Sequence, residues 1–207
     1  LRQILFAFVL TSVVYLTMGN LTTLAEENLT EEQIAEKFEE IDSTYDVNEE
    51  LSEEDAEFIK KYANVTQPEE TSVDMVQSSS QETSSETFYG TGSAPNSNES
   101  AAVLGTYTLN QGYISQSYKI SMTAAMNSGT ADKITNEHTH TAYGTVGSGG
   151  LLKVYSKNDS RSCSNEQSCY SYFSEDYSAH VVYYSQVIKS TIYHDGNRSF
   201  DVTVSGL

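Results

Sequence analysis

The chain has 207 residues, with 29 Asp and Glu against 11 Lys and Arg, and a formal net charge of −18. A charge of that sign, with no basic cluster, repels phosphate backbones and excludes nucleic acid as a partner. The charge is also partitioned. Residues 26 to 100 hold 21 acids against three lysines (Lys37, Lys60, Lys61), whereas residues 101 to 207 hold eight acids against seven bases. Repulsion from an anionic lipid surface therefore applies to the whole chain and not to its carboxy-terminal half, for which a membrane remains an option.

Residues 1 to 25 read as a secretory signal. Ile4 to Met18 is an apolar run behind Arg2, and Thr23-Leu24-Ala25 supplies small residues at a plausible cleavage point. The run is shorter than the roughly 20 apolar residues that a membrane span requires. Export places the chain in an oxidising, extracellular setting, free or associated with the cell wall.

Residues 26 to 64 predict an acidic helical segment. Thr30-Glu31-Glu32-Gln33 fits a capping box, and Ser52-Glu53-Glu54-Asp55 is a shorter relative of it. Ile34, Phe38 and Ile41 form one apolar stripe, and Phe58, Ile59 and Tyr62 form a second. Acids open the second helix and Lys60-Lys61 close it, as the helix dipole favours. Two stripes this narrow cannot offset an ordering cost of about 1 to 2 kcal/mol per residue. The segment is expected to fold against a partner surface or to stay only partly folded, and it reads equally as a solvated acidic arm or as a pro-segment or docking module removed or rearranged after export.

Residues 65 to 101 contain Pro68, Pro95 and a Ser/Thr/Gln/Glu-rich stretch with Phe88-Tyr89 as its aromatic pair. Such composition predicts a disordered, protease-accessible linker and a domain boundary near Ala101.

Residues 102 to 207 read as all-β, with runs of Val, Ile, Thr and Tyr punctuated by turn residues. The expected strands are 103–109, 113–124, 139–146, 151–157, 169–174, 177–194 and 198–205. Asp195-Gly196-Asn197 followed by alternating Phe200, Val202 and Val204 marks a hairpin. About seven strands in one core of this size predict an antiparallel β-sandwich. With no Trp available, tyrosine rings must serve the core, and others are expected to form an exposed aromatic strip. Cys163 and Cys169 flank a polar pentapeptide and predict a small disulfide loop tying strand 151–157 to strand 169–174.

His138-Thr139-His140 is the candidate metal site. On a strand, i and i+2 share a face, so both imidazoles can converge on one ion, with His180 or His194 completing the set. Glu137 would face the other way. The alternative reading is a pair of half-exposed histidines on a Thr-rich strand. No G-x-S-x-G elbow is present, the cysteines are expected to be paired, and Asp195 beside His194 reads as turn chemistry. Asn-x-Ser/Thr sequons occur at Asn28, Asn64, Asn98, Asn158 and Asn197, and matter only where the host glycosylates.

The order of signal, acidic segment, Ser-rich tether and β body resembles that of many secreted precursors of Gram-positive bacteria. The expectation is a secreted, non-enzymatic β-sandwich module without a cofactor. Its partner would be an extracellular protein, a glycan, a cell surface or its own copies. The alternative is a toxin or antimicrobial precursor held inactive by residues 26 to 100, and the minor alternative is a metal-dependent enzyme built on His138 and His140.

Overall fold

A computed structural model describes residues 29–66, 82–147, 149–196 and 198–205. The expected signal and residues 67–81 of the expected linker lie outside these residues. Two helices, α1 (Glu31–Thr44) and α2 (Glu53–Tyr62), precede nine strands. These are β1 (Asn64–Val65), β2 (Glu82–Ser93), β3 (Ser100–Gln111), β4 (Ser115–Ser128), β5 (Lys133–Val146), β6 (Gly150–Ser164), β7 (Ser168–Ser178), β8 (Tyr183–His194) and β9 (Arg198–Ser205). They form two antiparallel sheets. In sheet A, β6, β5 and β8 are neighbours in that order, and β9 and the short β1 both pair with the far side of β8. Sheet B runs β2-β3-β4-β7. The architecture is the expected mainly-β sandwich, and its inner faces supply Val103, Ile120, Met122, Ile134, Ile188 and Ile192, among others.

The helices form a third layer. Thr30 caps α1, its hydroxyl accepting from the Gln33 N–H at 3.3 Å while the Gln33 side chain accepts from the Thr30 N–H at 2.9 Å. Ser52 caps α2 by accepting from the Asp55 N–H at 3.1 Å. Their apolar stripes, with Phe38, Ile41 and Ile59 fully buried, pack on the outward side of sheet A against Tyr143, Leu151 and Val187. The partner surface that the stripes demand is thus the protein's own sheet. A polar lock fixes the layer. The Asp42 carboxylate accepts from Ser156 Oγ at 2.5 Å and Thr141 Oγ1 at 2.9 Å, and Lys153 Nζ donates to the Asp42 carbonyl at 2.7 Å. Lys37 bridges the helices to Asp55 at 2.9 Å. Burial alone would raise the Asp55 carboxyl, but hydrogen bonds from Tyr45, Lys37 and Ser52 outweigh it and hold the group below the usual carboxylate range.

Three expectations need correction. First, residues 82–93, within the expected linker, are strand β2, which pairs with β3 along its whole length. Its outward Thr and Ser residues suit a solvated sheet face, and Phe88 points into the core. Gly90 and Gly92 mark where β2 passes β9 closely: a Cβ on Gly92 would lie 2.5 Å from the Asp201 carbonyl oxygen. Second, the run 177–194 is not one strand. It breaks between β7 and β8, and the chain crosses from sheet B to sheet A at 179–182.

Third, the Cys163–Cys169 disulfide forms, but it does not tie a hairpin ladder. β6 pairs with β5 and β7 with β4, so the bond joins the two sheets where the chain passes from one to the other. Buried Asn136 on β5 fastens the sheets further. Its amide donates to the Cys169 carbonyl at 2.9 Å and to Ser171 Oγ at 3.0 Å, and its oxygen accepts from Ser190 at 2.9 Å.

Candidate functional site

With helices covering the outward side of sheet A, the outward side of sheet B is the large sheet face left uncovered among the described residues. Strand parity decides which residues it presents. Successive pairings place Thr87, Thr106, Ser121 and Tyr172 in one row across the four strands, and Tyr89, Leu104, Thr123 and Tyr170 in the next. A further row holds Ser85, Thr108, Lys119 and Ser174. Side-chain hydrogen bonds stiffen the face, as between the Ser85 and Thr108 hydroxyls at 3.2 Å and from the Asn110 amide to Ser117 Oγ at 2.9 Å.

Four large side chains stand out from this polar lattice: Tyr89 is 66% exposed, Leu104 52%, Tyr170 56% and Tyr172 52%. Tyr170 and Tyr172 are neighbours on the edge strand, about 7 Å apart by strand geometry, and Tyr89 lies three strands away, about 14 Å across. Between Tyr170 and Leu104 lies a shallow depression of about 320 Å³, lined also by Thr87, Thr106, Ser121 and Thr123. Its size is at the lower end for small-molecule sites. Lys119 and Asp176 are the charges at the outward positions of the rows from Thr83 to Thr91. The face therefore offers hydroxyls, amide groups and ring faces rather than charge.

His138 and His140 do share a face, as strand parity requires, but it is the face turned into the sandwich. Both are fully buried, their ring centroids 6.5 Å apart. They sit among tyrosines from both sheets. His140 Nδ1 meets the Tyr107 hydroxyl at 3.1 Å and Nε2 meets the Tyr177 hydroxyl at 2.9 Å. A neutral imidazole has one donor and one acceptor, so one tyrosine donates to it and the other accepts. Both nitrogens are thereby occupied. The expected completing histidines are elsewhere: His180 packs edge-on to Tyr113 between β7 and β8, and His194 ends β8 beside Glu99. The four histidines are not gathered around one point.

Burial governs the titration of this cluster. It pushes His138 down to about 4, with the neighbouring Gln186 opposing it, and holds His140 well below the usual imidazole range, helped by repulsion from His138. Burial raises the tyrosines instead: Tyr107 and Tyr177 go well above their ordinary value, and Tyr184 to about 12. The cluster is a neutral, hydrogen-bonded core and not a reactive centre open to substrate. Its parity was legible in sequence. Its direction was not, because alternating His and Thr reads equally well as an outward face.

No protein-family model matches the chain, and comparison with curated proteins finds no relative.

Proposed function

We propose that this protein is a non-catalytic β-sandwich binding module, acting outside the cell, that holds a neutral glycan chain on the outward face of sheet B. One observation carries the reading: the exposed rings of Tyr89, Tyr170 and Tyr172, with Leu104, stand on a nearly uncharged lattice of Ser, Thr and Asn. Tyrosine rings stack on the apolar C–H faces of sugars at low entropic cost, and the hydroxyl lattice supplies donors and acceptors to ring oxygens. A basic or acidic partner would find little there to pair with.

The disulfide and the absence, among the described residues, of a helix long and apolar enough to cross a membrane are compatible with an extracellular location. The toxin-precursor reading is less favoured. Removing the helical segment would strip the cover from Tyr143, Leu151 and Val187 and leave Lys153 without Asp42.

The test is a titration of the full chain against soluble neutral glycans, including glucans, mannans and chitin oligosaccharides, with Tyr170→Ala and Tyr172→Ala beside it. Losing one stacking ring worth about 1 kcal/mol should weaken binding roughly fivefold. Binding that survives the double substitution, or no binding to any neutral glycan, would sink the proposal. So would reversible self-association abolished by Tyr170→Ala, since the face would then belong to a second copy.

A further inference from the structure

The outward face of sheet B has a direction. Its row of Tyr89, Leu104, Thr123 and Tyr170 crosses all four strands and holds three of the four large exposed side chains. On one side of it lies a row of small residues, Thr91, Ala102, Ala125 and Ser168. On the other side Thr87, Thr106, Ser121 and Tyr172 all carry hydroxyls. The face therefore bears a low ridge at right angles to the strands, with an apolar and aromatic crest, one small-residue flank and one hydroxyl flank. None of the three rows contains Asp, Glu, Lys or Arg.

Resting on the glycan reading above, we infer that the ligand is a linear, equatorially linked hexose chain of the β-1,4 type, lying across the strands along this ridge and bound in mid-chain rather than by an end. Spacing is the first argument. Neighbouring strands lie about 4.8 Å apart, and an extended β-1,4-linked chain advances by roughly the same distance per sugar. One sugar then falls over each strand, the first over Tyr89, the second over Leu104 and the fourth over Tyr170. The strands themselves offer no such series: along β7 there are Tyr170 and Tyr172 alone among the exposed large side chains.

Shape is the second argument. Equatorial linkage makes a flat ribbon with C–H groups on its faces and hydroxyls at its rims. A ribbon laid on the crest stacks its faces on the tyrosine rings and turns a rim toward Thr87, Thr106 and Ser121, whose hydroxyls both donate and accept. An α-1,4-linked chain curls, and leaves a flat surface after a sugar or two. Over Thr123 the crest dips, and the depression of about 320 Å³ between Leu104 and Tyr170 leaves room for a substituent on the third sugar, an acetamido group as well as a hydroxyl. Both chitin-type and glucan-type chains meet these terms. The ends of the ridge give the third argument. β2 and β7 are the edge strands of sheet B, so no further strand of the sheet blocks either end, and a polymer can run past the site.

The test is calorimetry of the full chain with chitohexaose, cellohexaose and maltohexaose. At least one β-linked hexaose should bind tenfold or more tighter than maltohexaose, and the stronger of the two identifies the source. Its tetraose should match the hexaose within twofold, and its disaccharide should be at least tenfold weaker. Tyr89→Ala and Tyr170→Ala should each weaken hexaose binding roughly fivefold, and Tyr172→Ala should weaken it less. Maltohexaose binding as tightly as the β-linked chains, or a disaccharide binding as tightly as the hexaose, would overturn the inference and leave a neutral glycan on this face. So would a loss in Tyr172→Ala with none in Tyr89→Ala, since the chain would then run along β7. Binding to other neutral glycans but to none of the three hexaoses would overturn this inference alone. Binding to no neutral glycan at all would overturn the glycan reading with it.

Discussion

Acid should weaken this fold near pH 6, earlier than carboxylate titration alone would. His138 is neutral in the native state, with its pKa pushed down to about 4, whereas an exposed histidine in the unfolded chain titrates near 6.5. Between those values the unfolded state binds a proton that the folded state does not, so stability is fully present above about 6.5 and is lost as pH falls toward about 4. From pH 7 to pH 5 this residue alone removes about 2 kcal/mol. His140, fully buried and shifted the same way, adds to the loss. The groups facing the pair are Tyr107 on β3, Tyr118 on β4, Tyr155 on β6, Tyr177 on β7, and Tyr184 and Gln186 on β8. Of the carboxylates around the cluster, Asp159 accepts from the Tyr118 hydroxyl at 3.0 Å, and Glu86 acts on Tyr107 and Tyr184 rather than on the imidazoles. Only the neutral Gln186 amide favours the imidazolium, and burial outweighs it. The assay is urea unfolding at half-unit steps from pH 7.5 to 5. His138→Phe keeps the ring, removes two buried nitrogens, and should flatten the profile by about 2 kcal/mol. A wild-type profile that is level over this range, or a His138→Phe profile of unchanged slope, would refute the reasoning.

Asp42→Ala should cost about 2 kcal/mol, less than for a fully buried pair because Asp42 is 22% exposed, and should raise hydrogen exchange in α1 before that in β5. Replacing Cys163 and Cys169 by Ala should lower stability by about 2 kcal/mol, the entropy of closing so short a loop, as read from the urea midpoint. Gly92→Ala should destabilise the β2/β9 edge, since its Cβ would meet backbone at 2.5 Å. The readout is faster exchange in β2 with β4 unchanged.

The sequence was most legible where local chemistry decides structure. The Thr30 and Ser52 caps, the turn at Asp195-Gly196 and the alternation of Phe200, Val202 and Val204 all depend on neighbours a few residues away. It was least legible where pairing is long-range. Strand β2 buries Phe88 at a sheet edge and faces solvent along its outward side, so its Ser/Thr composition matches that of a disordered tether. Its two glycines, Gly90 and Gly92, answer to β9, more than 100 residues further along the chain. The disulfide spacing was readable, but which strands lay on either side of it was not, because a tight turn can join partners in one sheet or neighbours in two. The exposed aromatic strip was expected in kind, but only the register of sheet B brings Tyr89, Leu104 and Tyr170 into one row. Glu99 carried no sequence signal toward His194.

The charge partition acquires a spatial meaning from the layer order. Helices α1 and α2 hold ten acids against three lysines, and they lie on sheet A, with the whole sandwich between them and the outward face of sheet B. The net charge of about −7 on these helices therefore bears little on what sheet B meets, since fields from the far layer are screened over a Debye length of about 8 Å at physiological salt. A neutral glycan bound there should show a Kd that changes less than twofold between 50 and 500 mM NaCl. A steep loss of affinity over that range would mean that ion pairs carry the binding, assign the ligand a positive charge, and move the contact from the tyrosine face to the acidic helices.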